Sequence, residues 1–194
     1  MTRNDARRRA MQSLVGVALV IAVGGRAAHA QMSAGSRPAP DTGSVAPDFI
    51  LPSASMNKAT SVVKLTALRG KVVVIAFYPG DKTTGCTAEL SKFRDEFTRL
   101  FGDGVVVLPI SADGMASHAA WSDEMHFPFA LLSDSAQRVA ADYGSTIAGR
   151  AYDNRTVFVI GKDGKIRYRN LRFGALSETS YSELAAAVAA AKAS

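Results

Sequence analysis

The sequence predicts an α/β fold, a central mixed sheet with helices on both faces. Three observations carry this. Lys71–Tyr78 and Val105–Ile110 are near-continuous β-branched and aromatic runs, the pattern of strands buried on both faces. Segments with helical periodicity alternate with them, which places parallel strands under covering helices. Near the end, two strand-like runs flank Gly161-Lys-Asp-Gly164, a tight turn that adds an antiparallel pair.

Taken in order, the domain begins near Val45 and extends to residue 194. Lys71–Tyr78 is stopped by Pro79 and Gly80. Leu90, Phe93, Phe97, Leu100 and Phe101 then recur at helical spacing between charged residues, predicting one amphipathic helix from about Thr84 to Phe101, ended by Gly102 and Gly104. The Val105–Ile110 strand leads to a helix over 114–126 and a short strand over Phe129–Leu132. Asp134 can cap a helix that Gly144 terminates. Arg155–Ile160 and Lys165–Arg169 are the hairpin strands, and Ser180 with Glu183 forms a capping box for an alanine-rich helix to about Lys192.

The first thirty residues have a different character. Arg7-Arg8-Arg9, a twelve-residue uncharged run from Leu14 to Gly25, and Ala28-His29-Ala30 have the layout of a secretory signal peptide (1–30) with the mature chain starting near Gln31. The run is shorter than the roughly 20 residues of a membrane-spanning helix, so no permanent membrane anchor is expected. The paired arginines resemble a twin-arginine export signal, and the expected destination is a bacterial periplasm. Residues 31–44, rich in Gly, Ser, Pro and Ala, are expected to be a flexible linker. The leader holds five basic residues and one acidic. Removing them from totals of 23 and 17 leaves 18 and 16, so the body has no charge excess that would argue for nucleic acid or an anionic membrane.

The chain has one cysteine, Cys86, which excludes an internal disulfide. It lies in Tyr78-Pro-Gly-Asp-Lys-Thr-Thr-Gly-Cys-Thr-Ala-Glu89, in the first turn of the predicted 84–101 helix. Unpaired N–H groups and the positive end of the helix dipole favour an anion there, and the thiolate is the nucleophilic form of cysteine. Its small polar neighbours argue against an inert, apolar cysteine. His118 and His126, without carboxylate or cysteine partners in sequence, are read as surface or boundary residues and Trp121 as packing; no metal or cofactor is implied.

Pro79-x-x-x-Thr83-x-x-Cys86, directly after Phe77-Tyr78 and followed by Glu89, resembles the peroxidatic motif of peroxiredoxins, the AhpC/TSA superfamily. Ala46-Pro47-Asp48-Phe49, Leu65–Lys71, Phe127–Asp134 and Asn154–Ile160 agree in order, and Gly80-Asp81 with Thr84–Thr87 look most like the bacterioferritin-comigratory-protein or peroxiredoxin Q branch. The resemblance implies a thioredoxin-like fold and a peroxidase acting on hydrogen peroxide and organic hydroperoxides through a sulfenic acid at Cys86. It further implies that Thr83 bonds the thiolate and the peroxide, that Arg155 supplies fixed positive charge, that Pro79 shields the sulfur, and that Glu89 orients an arginine.

Branch members often carry a second cysteine five residues on, where this chain has Ser91. A one-cysteine cycle is therefore expected, closed by an external thiol from a thioredoxin-like protein, a small thiol or a second copy, in a monomer or homodimer. Two rivals stand beside it. A dithiol oxidoreductase needs C-x-x-C, and Thr83 occupies the partner position. An exported thioredoxin-fold binding module with a non-catalytic cysteine is the other.

Overall fold

A computed structural model describes residues 37–194; the signal-like residues 1–30, the twin-arginine pattern and the first part of the linker lie outside the described residues. Seven strands form one sheet: β1 (Ile50–Ala54), β2 (Thr60–Lys64), β3 (Val73–Phe77), β4 (Val106–Ser111), β5 (Leu131–Ser133), β6 (Thr156–Ile160) and β7 (Ile166–Asn170), in the spatial order β2-β1-β5-β4-β3-β6-β7. β3, β4 and β5 run parallel, while β6 lies antiparallel against β3 and β7 against β6. This is the mixed sheet the sequence pattern predicts, in the thioredoxin-like arrangement the family resemblance implies.

Among the described residues five α-helices accompany it: α1 (Thr84–Asp95), α2 (Phe97–Leu100), α3 (Met115–Met125), α4 (Arg138–Asp142) and α5 (Glu178–Ala193). β3 shows why both faces must be covered, since none of its residues is exposed. Val74, Ala76 and the following Tyr78 enter one core with Cys86, Leu90 and Phe93 of α1, Leu100 of α2, Trp121 of α3, and Leu184 and Val188 of α5. Val73, Ile75 and Phe77 enter the other, with Phe49, Leu51, Leu65 and Val139 and Ala140 of α4. The two-residue period of a strand sorts its side chains between two cores.

Four elements differ from the sequence reading. The helix expected over 84–101 is two, because the chain leaves helical angles at Glu96 (φ −111°, ψ 23°), and Phe101 then packs edge-on against both Phe93 and Phe97 at 5.2 Å between centroids. The β1–β2 hairpin has no counterpart in that reading: a proline, Pro52, sits in the middle of β1 beside exposed Ile50, and most β2 side chains are exposed, so neither shows a buried run. The short strand after Phe129 is shifted to Leu131–Ser133. The last helix is capped by Ser177, whose side chain accepts from Ser180 N at 3.3 Å. Ser180 already lies inside α5, with its hydroxyl accepting from Gly174 N, and Glu183 accepts from the Tyr168 hydroxyl.

Residues 37–44, grouped with the linker by composition, run against the fold. Arg169 bonds the carbonyls of Ala39 and Pro40, Gly43 N donates to Ile166 O at 2.8 Å, and Ala39 lies where a side chain on Gly144 would stand. Asp134 does cap the α4 turn, though from four residues upstream, accepting from the N–H groups of Arg138 and Ala140.

Candidate active site

The site forms at the end of β3 because of one register pair. Phe77, the last residue of β3, lies opposite Thr156, the first of antiparallel β6. Arg155 is thereby delivered to the β3–α1 loop, although the two segments are about seventy residues apart in sequence.

Cys86 is buried in the first turn of α1. Thr83 is the N-cap, with extended angles (φ −71°, ψ 147°), and its hydroxyl accepts from Cys86 N at 3.4 Å. Arg155 Nη2 points at Cys86 Sγ from 3.3 Å, and Nη1 pairs with Glu89 Oε2. One guanidinium thus spans the nucleophile and a carboxylate one turn further along the same helix face, a use of its planar fork that lysine cannot reproduce. Glu89 is fully buried and Arg155 is 16% exposed.

Burial pushes the Glu89 carboxyl up to about 7, against the pull of the neighbouring Arg155 charge, and its Oε1 has no hydrogen-bond partner among the described residues. Burial works to lower the Arg155 pKa, but the Glu89 and Cys86 charges outweigh it and hold the guanidinium firmly protonated.

The structure thus brings Cys86, Thr83, Arg155 and Glu89 together. The Thr83 hydroxyl is engaged with the backbone, donating to Gly80 O at 3.2 Å and accepting from Cys86 N; no bond from it to the sulfur is present among the described residues. A capping role explains this, since the cap hydroxyl must face the helix N–H groups. Pro79 stands half-buried at the start of the same loop. The Glu89 side chain is buried and pairs with Arg155.

Two features escaped the sequence. Gly85 leaves room for the guanidinium, since a Cβ there would lie 3.1 Å from Arg155 Nη2. His118, read as a surface or boundary residue, is completely buried and bonded to Asp81. Asp81 belongs to the irregular loop between β3 and α1, which carries no periodic signal, and a histidine partner 37 residues away cannot be read from spacing.

The matching family model, described as the AhpC/TSA family, spans residues 42–169, more than half of the chain. The chain belongs to the AhpC/TSA family. It is 38% identical over 132 residues to a Coxiella burnetii protein named as a peroxiredoxin of the bcp kind, covering 65% of this chain and 85% of that one. It is 37% identical to a chloroplastic peroxiredoxin Q of Triticum aestivum, a match spanning 65% of this chain and 57% of the longer wheat protein. Among solved structures, the peroxidoxin BcpB of Mycobacterium tuberculosis superposes with a TM-score of 0.65 at 29% identity, over 77% of this chain and 96% of the other. AhpC of Enterococcus faecalis shares the fold, with a TM-score of 0.69 at 21% identity over 78% and 92% of the two chains. Membership carries the family's thiol-peroxidase chemistry, run here through a single cysteine.

Proposed function

We propose that this AhpC/TSA protein is a one-cysteine peroxidase in which Cys86, Arg155, Thr83 and Pro79 form the reacting site and Glu89 supports it. The observation that carries the reading is the Arg155 Nη2 to Cys86 Sγ contact at 3.3 Å. A fixed cation and the α1 N-terminus both lie beside the sulfur, where they complement the negative charge of an attacking thiolate.

In the reaction the sulfur attacks one peroxide oxygen in line with the O–O bond. An S–O bond forms, the O–O bond breaks, and the leaving oxygen departs as hydroxide or alkoxide and takes up a proton from water. Charge moves from sulfur to the leaving oxygen, and preorganised donors that follow it lower the barrier. Arg155 supplies such a donor at Nη2, and Thr83, exposed beside the buried sulfur, supplies a hydroxyl able to turn toward an incoming peroxide. Pro79 shields the sulfur from bulk water. The product is Cys86 sulfenic acid.

With a single cysteine, the second thiol comes from outside the chain. It attacks the sulfenic sulfur and expels water to give a mixed disulfide, which a further thiol then reduces. The leader-like pattern of residues 1–30 supports export to an oxidising compartment, where that thiol would be delivered by a thioredoxin-like protein or a small-thiol pool.

Stopped-flow mixing of reduced protein with hydrogen peroxide and a tertiary alkyl hydroperoxide, with mass spectrometry of Cys86, tests the reading. Stoichiometric sulfenic acid forming far faster than on a free thiol, abolished by Cys86→Ser and slowed about a hundredfold by Arg155→Lys, is expected. Oxidation at the free-thiol rate would leave a binding module with an inert cysteine.

A further inference from the structure

A second polar cluster, almost sealed from solvent, holds the loop that carries Thr83, and the peroxide chemistry above does not use it. The Asp81 carboxylate accepts from the Tyr78 hydroxyl at 2.8 Å, the Ser117 hydroxyl at 2.6 Å and His118 Nδ1 at 2.9 Å. The His118 side chain is 0% exposed and that of Asp81 3%. The other ring nitrogen, Nε2, lies 3.2 Å from the carbonyl oxygen of Leu132 in β5.

Both ring nitrogens therefore face acceptors. A neutral imidazole has one N–H, and would set a bare lone pair against either a carboxylate or a carbonyl. A doubly protonated ring satisfies both. We propose that His118 is a positioning residue for the peroxidase reaction: an imidazolium clamped between Asp81 and Leu132 that fixes the 79–83 loop, and with it the seat of Thr83 and Cys86. The inference rests on the peroxidase reading of Cys86.

The pocket keeps Asp81 the anionic partner of the clamp. Burial works to raise the Asp81 carboxyl, and the bond and charge of His118 prevail over it and hold it below its ordinary range. The Tyr78 phenol, buried beside Asp81, is pushed well above its ordinary value and stays a donor. Asp113 takes the loop from the other side, accepting from Asp81 N at 2.8 Å and from the Ser111 hydroxyl at 2.9 Å. Outside, Lys82 pairs with Glu124 at 2.6 Å. Asp81 is two residues from the N-cap, so a displaced Asp81 displaces the Thr83 hydroxyl that receives Cys86 N. Misplacement by a fraction of an ångström at a reacting centre is costly.

Two measurements test the proposal. On the intact protein at neutral pH, nitrogen-15 NMR is expected to find protons on both His118 ring nitrogens; a bare nitrogen would overturn the clamp whatever any variant does. In stopped-flow, His118→Gln and Asp81→Asn are each expected to slow sulfenic acid formation at least about tenfold, and the double variant no further than the slower single. Val188→Ala, in the core under α5, serves as a comparator that loses stability without loss of rate. Variants that slow only as much as this comparator at matched stability would reduce His118 to a packing residue. Failure of the wild-type protein itself to outpace a free thiol would instead overturn the peroxidase reading, and the positioning role with it.

Discussion

Gly85 and Arg155 compete for the same space: a Cβ on Gly85 would lie 3.1 Å from Arg155 Nη2, the atom that points at the Cys86 sulfur. The glycine sits inside α1, where alanine is the better helix former by about 1 kcal/mol. Helix stability and catalytic geometry therefore pull in opposite directions at this position. Gly85→Ala is expected to leave the melting temperature unchanged or raised while slowing sulfenic acid formation about tenfold, because the guanidinium must move by a few tenths of an ångström. Calorimetry paired with stopped-flow checks this, and a variant that gains stability at full rate would mean that Arg155 can yield without consequence.

How much of this site was legible in the sequence depends on the range of the interactions. Cys86 is local, since a helix start is encoded in the residues around it; Thr83 entered through family resemblance, and the structure has Cys86 N on its hydroxyl. Arg155 was reachable only through family resemblance, because its approach depends on the Phe77–Thr156 register, a long-range pairing with no local signal. Gly85 and His118 stayed hidden for the same reason, since each is defined by a partner in another element. In the fold, β3, β4 and β6 were visible because both of their faces are buried. The β1–β2 edge hairpin was not, because half-exposed strands, one with Pro52 in its middle, carry no continuous apolar run. The Ser180–Glu183 pattern fitted a capping box, but loop packing starts α5 one turn earlier, at Ser177.

Glu89 is expected to make the peroxidase rate sensitive to pH. Burial raises its carboxyl to about 7, so above that pH it is a carboxylate anchoring Arg155, and below it a neutral acid. Glu89→Gln imitates the neutral form at every pH. The wild-type to variant rate ratio is therefore expected to be about ten above pH 8 and to fall toward one below pH 6. A ratio constant across that range would mean that the Glu89 charge does not act through Arg155.

Asp153, two residues before Arg155, is a buried carboxyl whose Oδ1 accepts from Gln137 Nε2 at 2.7 Å and whose Oδ2 has no partner among the described residues. Burial, reinforced by the charges of Asp134 and Asp113 and opposed by the Gln137 bond, pushes it up from 3.8 to about 7. The folded state therefore keeps a proton that the unfolded chain releases near 3.8. The resulting stability is fully present below that pH and is lost as pH rises through about 7. Asp153→Asn keeps the acceptor for Gln137 and has no charge to bury. It is expected to stabilise the fold at pH 8 by about 1–3 kcal/mol, a rise of several degrees in melting temperature, and to match wild type near pH 4. Thermal melts of both proteins across pH 4–8 check this; a gap that stays constant over the range would mean that the folded protein ionises Asp153 no later than the unfolded chain does.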